Sequence, residues 1–107
     1  MLLEIQQQIA ELIAENQKGA TALFEAETRL AEAEHELDLI EQKAFIGAEG
    51  SVADRTAIAK LKAADARLQR DLRRAELNRV RLKVKTIETN LMALGTQAKL
   101  IQTEVRM

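Results

Sequence analysis

The chain has 107 residues, with 16 Lys and Arg against 17 Asp and Glu, for a formal net charge of -1. It contains no Pro, Cys, Trp or Tyr and a single His. This excludes a disulfide framework, a thiol nucleophile and a cysteine-held metal, and also an aromatic platform for stacking bases. What remains, rich in Ala, Leu, Glu, Lys and Arg, is the composition of long helices and coiled coils, and its length fits one domain, residues 1–107.

The first element expected is a helix over about residues 2–46. Its opening, Met1-Leu2-Leu3-Glu4-Ile5, has neither the basic start nor the apolar run of a secretory signal. No stretch approaches the roughly 20 apolar residues of a bilayer span. A cytoplasmic protein with no membrane partner is therefore expected. Alternating steps of three and four select Leu2, Ile5, Ile9, Leu12, Asn16, Gly19, Leu23, Ala26, Leu30, Ala33, Leu37, Ile40 and Ala44. A spacing of 3.5 sustained this long is a coiled-coil signal. Asn16 in the seam is read as fixing register at some cost in stability, and Gly19 as permitting a kink or a close helix approach. Phe24 and Phe45 are read as core plugs.

A turn is expected at 47–51, where Gly47 and Gly50 can adopt the backbone angles that end a helix. Ser51 is then a good N-cap for a second helix over about 52–105, and Asp54 suits its first turn. The second half of that helix carries a regular seam of Leu77, Val80, Val84, Ile87, Leu91, Leu94, Ala98, Ile101 and Val105. In its first half Ala57, Leu61, Ala64, Leu68, Leu72 and Ala75 follow a different phase. A shift of the seam around residues 68–77 is expected from this, and with it a place where a second partner helix takes over.

A short break between two long helices favours an all-α, antiparallel helical hairpin of coiled-coil type. Counting outward from the turn sets Ala44 near Asp54, Ala33 near Asp65 and Leu12 near Thr86, with the chain beyond about residue 96 unmatched. Helix 1 has further apolar residues off its seam, among them Leu3, Ile13, Leu39 and Ile46. Monomers rarely expose long apolar patches, so a homodimer or higher oligomer forming a four-helix bundle is expected, with Leu77, Val80, Val84, Ile87, Leu91 and Leu94 as its seam.

The neutral total conceals a split. Residues 1–54 hold 12 acids and 3 bases, or -9; residues 55–107 hold 5 acids and 13 bases, or +8. Like charges flanking a seam oppose self-pairing of either helix in parallel, whereas folding helix 1 onto helix 2 pairs acid with base. In the expected register Arg74, Arg79, Arg81, Lys83 and Lys85 lack full compensation. Together with Arg70 they are candidate contacts for a partner. Three uses fit: a solvated face or the acids of another protomer, an unidentified acidic protein partner, or the phosphate backbone of DNA or RNA.

No catalytic constellation is found. Glu32-Ala33-Glu34-His35 contains one Glu-x-x-His step, the spacing of di-iron bundles, but the seam places His35 outward, and no metal or other cofactor is expected. The segment Gly47-Ala48-Glu49-Gly50-Ser51 lacks the Lys of a phosphate-binding loop. A non-enzymatic protein is therefore expected. The stretch Glu49-Gly50-Ser51-Val52-Ala53-Asp54-Arg55-Thr56-Ala57, between Ala/Leu/Glu/Arg-rich helices, resembles small uncharacterised helical proteins of bacteriophages and prophages. In those a similar segment opens the second helix. The resemblance implies an accessory protein of a mobile element, acting in the host cytoplasm. Helical hairpins of the WXG type are similar in size, but their Trp-x-Gly turn is missing.

Overall fold

The computed structural model describes the backbone of residues 1–106 and side chains as far as Glu104. Among the described residues the protein is all-α, with no strand: α1 spans Leu2–Gly47, α2 Val52–Lys62 and α3 Ala64–Arg106. A chain without proline and dominated by good helix formers favours long helices. Gly50 carries the chain through the turn at φ 109°, a left-handed conformation that costs glycine little. Ser51 then caps α2, its hydroxyl accepting from the Asp54 amide at 3.1 Å, as the sequence predicts.

The second helix is not continuous. Ala63 sits between α2 and α3 at φ -91°, ψ 4°, outside the helical well. The hydrogen bonds Ala63 N–H to Ala59 carbonyl and Arg67 N–H to Ala63 carbonyl persist at 3.0 and 2.9 Å. The irregularity is thus a local change of path at a residue that is completely buried.

The residues group into two compact units, Glu25–Asn78 and Met1–Phe24 with Arg79 onward. In the first, Glu41 meets Arg67 at 3.2 Å, Glu34 meets Arg74 at 3.9 Å, and Arg29 pairs with Glu76. Numbers that fall along one helix as they rise along the other mean antiparallel packing. Carried inward from these flanking pairs, the register sets Ala44 opposite Ala59, Ile40 opposite Ala63, Leu37 opposite Ala66, Ala33 opposite Arg70 and Ala26 opposite Leu77. Ala26, Leu37, Ala44, Ala59, Ala63 and Leu77 are all buried. In four of these five pairs a large side chain faces an alanine, which lets the helices interdigitate.

In the other unit Gly19 lies against Val84, closely enough that a Cβ on Gly19 would stand 3.0 Å from Val84 Cγ2. This contact sets Leu12 opposite Leu91. The pairing expected from the turn is therefore displaced by five residues: Ala33 faces Arg70 where Asp65 is predicted. The reason lies at the start of α2. Val52, Ala53 and Asp54 are exposed, so its first turn runs beyond the end of α1 before packing begins. The displacement also matches more of α3, since Met1 and Ile5 share a depression with Gln97, Leu100 and Ile101.

All thirteen predicted seam positions of α1 are buried or half-buried. So are Leu77, Val80, Val84, Ile87, Leu91, Leu94, Ala98 and Ile101; the side chain of Val105 lies outside the described residues. The predicted phase shift is absent. Counting back from Leu77 in the same rhythm reaches Arg73, which is exposed, and then Arg70, Ala66, Ala63 and Ala59, each buried or half-buried. The alternative set, Ala57, Leu61, Ala64, Leu68, Leu72 and Ala75, is exposed throughout. Of the two phenylalanines, Phe45 is half-buried, but Phe24 is 70% exposed and plugs no core.

Candidate interaction surface

The outward row of α2 and α3 is the most distinctive surface of the unit Glu25–Asn78. Leu61, Leu68 and Leu72 are 78%, 54% and 53% exposed. Steps of three and four connect them with Ala57, Ala64 and Ala75, on the side of the helix away from α1. Six apolar residues in helical register facing water form a second seam with nothing on it among the described residues. Its flanks carry Lys60 and Lys62 but also Asp65 and Asp71. Arg67 and Arg74 are committed to Glu41 and Glu34, whereas Lys60 and Lys62 form no ion pair among the described residues.

The outward side of α1 in the same unit has the opposite character. Ala31, Leu39 and Ile46 are exposed there, among Glu32, Asp38 and His35, also exposed. Glu27, Glu32, Glu36, Asp38 and Glu49 enter no ion pair among the described residues. Residues 25–49 hold 8 acids and 2 bases, and residues 55–75 hold 7 bases and 2 acids. The first stretch is thus -6 and the second +5, and each keeps part of its charge uncommitted.

The candidate partner contacts divide. Arg70 is at an inward position: its side chain is 23% exposed and its Nε donates to Asp71 Oδ1 at 2.7 Å. An arginine can lie there because its stem packs while its head reaches the edge. Arg74 is compensated by Glu34, contrary to the expected register. Arg79, Arg81, Lys83 and Lys85 are exposed and form no ion pair among the described residues. They do not make one stripe. At 100° per residue, Arg81 and Lys85 fall on one flank of Leu82, and Arg79 and Lys83 on the other. Leu77, Val80, Val84, Ile87, Leu91 and Leu94, expected at an oligomer seam, lie toward α1 of the same chain.

One contact at the turn was not expected from the sequence. Arg55 Nε donates to the Phe45 carbonyl at 3.1 Å, and its guanidinium carbon stands 4.3 Å from the centre of the Phe45 ring. The last carbonyls of a helix lack partners and attract cations, and an aromatic face adds to that attraction. The available signal was a cation four residues beyond a cap that comes after a helix ending near Phe45. Beside it Phe45, Ile46 and Ala59 line a shallow apolar depression with Glu41, Thr56 and Lys60.

Comparison with protein-family models, curated proteins and solved structures found no match. The chemistry of the surface must therefore carry the functional reading alone. Among the described residues no group of three or more His, Cys, Asp or Glu is placed to hold a metal, and His35 is exposed. Among the described residues no helix is long and apolar enough to cross a membrane.

Proposed function

We propose that this is a non-catalytic helical interaction protein, a coiled-coil hairpin that works by self-association and by binding a protein partner. The observation that carries this reading is the exposed row of Leu61, Leu68 and Leu72 with its three alanines. A leucine moved from water into a packed site contributes about 1.5–3 kcal/mol. A row of three at seam spacing is a helix-docking surface rather than the scattered exposure of any soluble protein. A second hairpin laid on this row makes a bundle of four helices. The resemblance around residues 49–57 supports an origin in a bacteriophage or prophage, and with it action in the host cytoplasm.

Sedimentation velocity over a hundredfold range of concentration tests the reading. The expected result is a mass above the 12.0 kDa of one chain that drops when Leu61, Leu68 and Leu72 are replaced together by alanine. A 12.0 kDa species at every concentration, with no protein captured from the host at moderate salt, overturns it.

A second reading rests on the four exposed cations Arg79, Arg81, Lys83 and Lys85, which have no ion pair among the described residues. Exposed lysines and arginines neutralise phosphates without reading sequence. Binding to DNA or RNA whose logarithm falls linearly with the logarithm of salt, and which Arg81→Glu with Lys85→Glu abolishes, would establish it. Absence of binding at low salt would remove it.

A further inference from the structure

The proposed self-association leaves open which surface meets the exposed row. Resting on that reading, we infer that the row on α2 and α3 of one copy receives the outward, acidic face of α1 of a second copy. The association is then heterologous: two different surfaces of the chain meet, and each copy keeps one of them free.

The charges decide between the possible occupants. A second copy of the row itself would offer the uncommitted Lys60 and Lys62 only Asp65 and Asp71, and Asp71 is already held by Arg70. The outward face of α1 brings Glu32 and Asp38, with Glu27, Glu36 and Glu49 alongside, none of them in an ion pair among the described residues. The uncommitted cations beside the row, Lys60 and Lys62, then meet uncommitted acids. The same face of α1 also brings Ala31, Leu39 and Ile46, exposed and in steps that a helical groove accepts. Both complementary surfaces lie in the unit Glu25–Asn78, so every copy displays both.

Geometry then fixes the kind of assembly. Within this unit α1 and the α2–α3 segment pack through their inward positions, so the two outward faces point away from each other. Two copies cannot satisfy both contacts at once by a two-fold axis. A heterologous contact propagates or closes into a ring instead of stopping at two. The contact is charge-selected, so it weakens as salt screens it.

Two variants, each blocked on one face, test this by light scattering coupled to size exclusion. Leu68→Glu with Leu72→Glu blocks the row, and Glu32→Lys with Leu39→Lys blocks the face of α1. The wild type is expected to pass twice the single-chain mass of 12.0 kDa as its concentration rises, and to fall back in high salt. Each blocked variant alone is expected to stay single, and an equimolar mixture to form a pair that grows no further. If the face-blocked variant associates as the wild type does, or the mixture fails to pair, the inference is overturned while self-association through the row stands. A wild type that stays single at all concentrations overturns both. Circular dichroism checks that the variants stay helical; where the glutamates unfold the row, Leu68→Ala with Leu72→Ala replaces them and must give the same pattern.

Discussion

Replacing Gly19 by alanine sets two known effects against each other. A glycine inside a helix is less favourable than alanine by about 1 kcal/mol, so the substitution should stabilise α1. The added Cβ, however, would stand 3.0 Å from Val84 Cγ2, tighter than ordinary carbon–carbon contact. Valine in a helix has one strongly preferred rotamer, so its methyl cannot swing aside and the helices must separate by a few tenths of an ångström. Overpacking of this kind costs about 1–3 kcal/mol. In the wild-type background the two effects therefore leave a net loss of about 0–2 kcal/mol. In a Val84→Ala background the obstacle is gone and the gain of about 1 kcal/mol should be recovered. The coupling between the two sites is then about 1–3 kcal/mol, well above the error of additivity for unconnected positions. Urea unfolding of the four chains, tracked by helical circular dichroism at one protein concentration, measures it. A Gly19→Ala chain more stable by the full amount, about 1 kcal/mol, in both backgrounds would refute the close approach of α1 and α3 at this point.

Other substitutions probe the same packing. Leu77, 4% exposed, should cost about 2–5 kcal/mol when cut to alanine, whereas Leu68→Ala should cost far less in dilute protein, and equal losses would contradict the phase of the seam. Ser51→Ala should lower the unfolding free energy by about 1 kcal/mol through loss of the cap, with Ser51→Gly milder; thermal melts of both decide it. Glu41→Arg should destabilise modestly, and Glu41→Arg with Arg67→Glu should restore most of the loss. An exposed pair of this kind is worth about 0.2–1 kcal/mol, and a double-mutant cycle showing no coupling would dismiss the pairing.

Much of this protein was legible in its sequence because the relevant signals are local. A repeat of 3.5 residues does not depend on what a helix meets, and it marked every inward position of the α1 seam and the described seam of α3 from Leu77 onward. The turn was equally local: Gly50 reverses the chain at φ 109° while Gly47 stays within α1, and Ser51 caps the second helix. The charge split carried the antiparallel choice, which Glu41 with Arg67 and Glu34 with Arg74 express as ion pairs.

Tertiary structure alone decided the register and the phase at the start of the second helix. Side-chain size misled there, because Leu61, Leu68 and Leu72 outweigh Ala59, Ala63 and Ala66 in any hydrophobic pattern. Yet a helix held at Leu77 cannot turn its preceding residues to a new face without losing its hydrogen-bond ladder, so the small residues go inward. Their small size is what admits Leu37 and Ile40 from α1. The leucines are left outside, and with them the surface on which the proposed function rests. Register came from the overhanging first turn of α2, a matter of a few residues that no periodicity records. Amino-acid pattern settles which face of a helix is apolar; only packing settles which of two apolar faces is spent on the fold and which is kept for a partner.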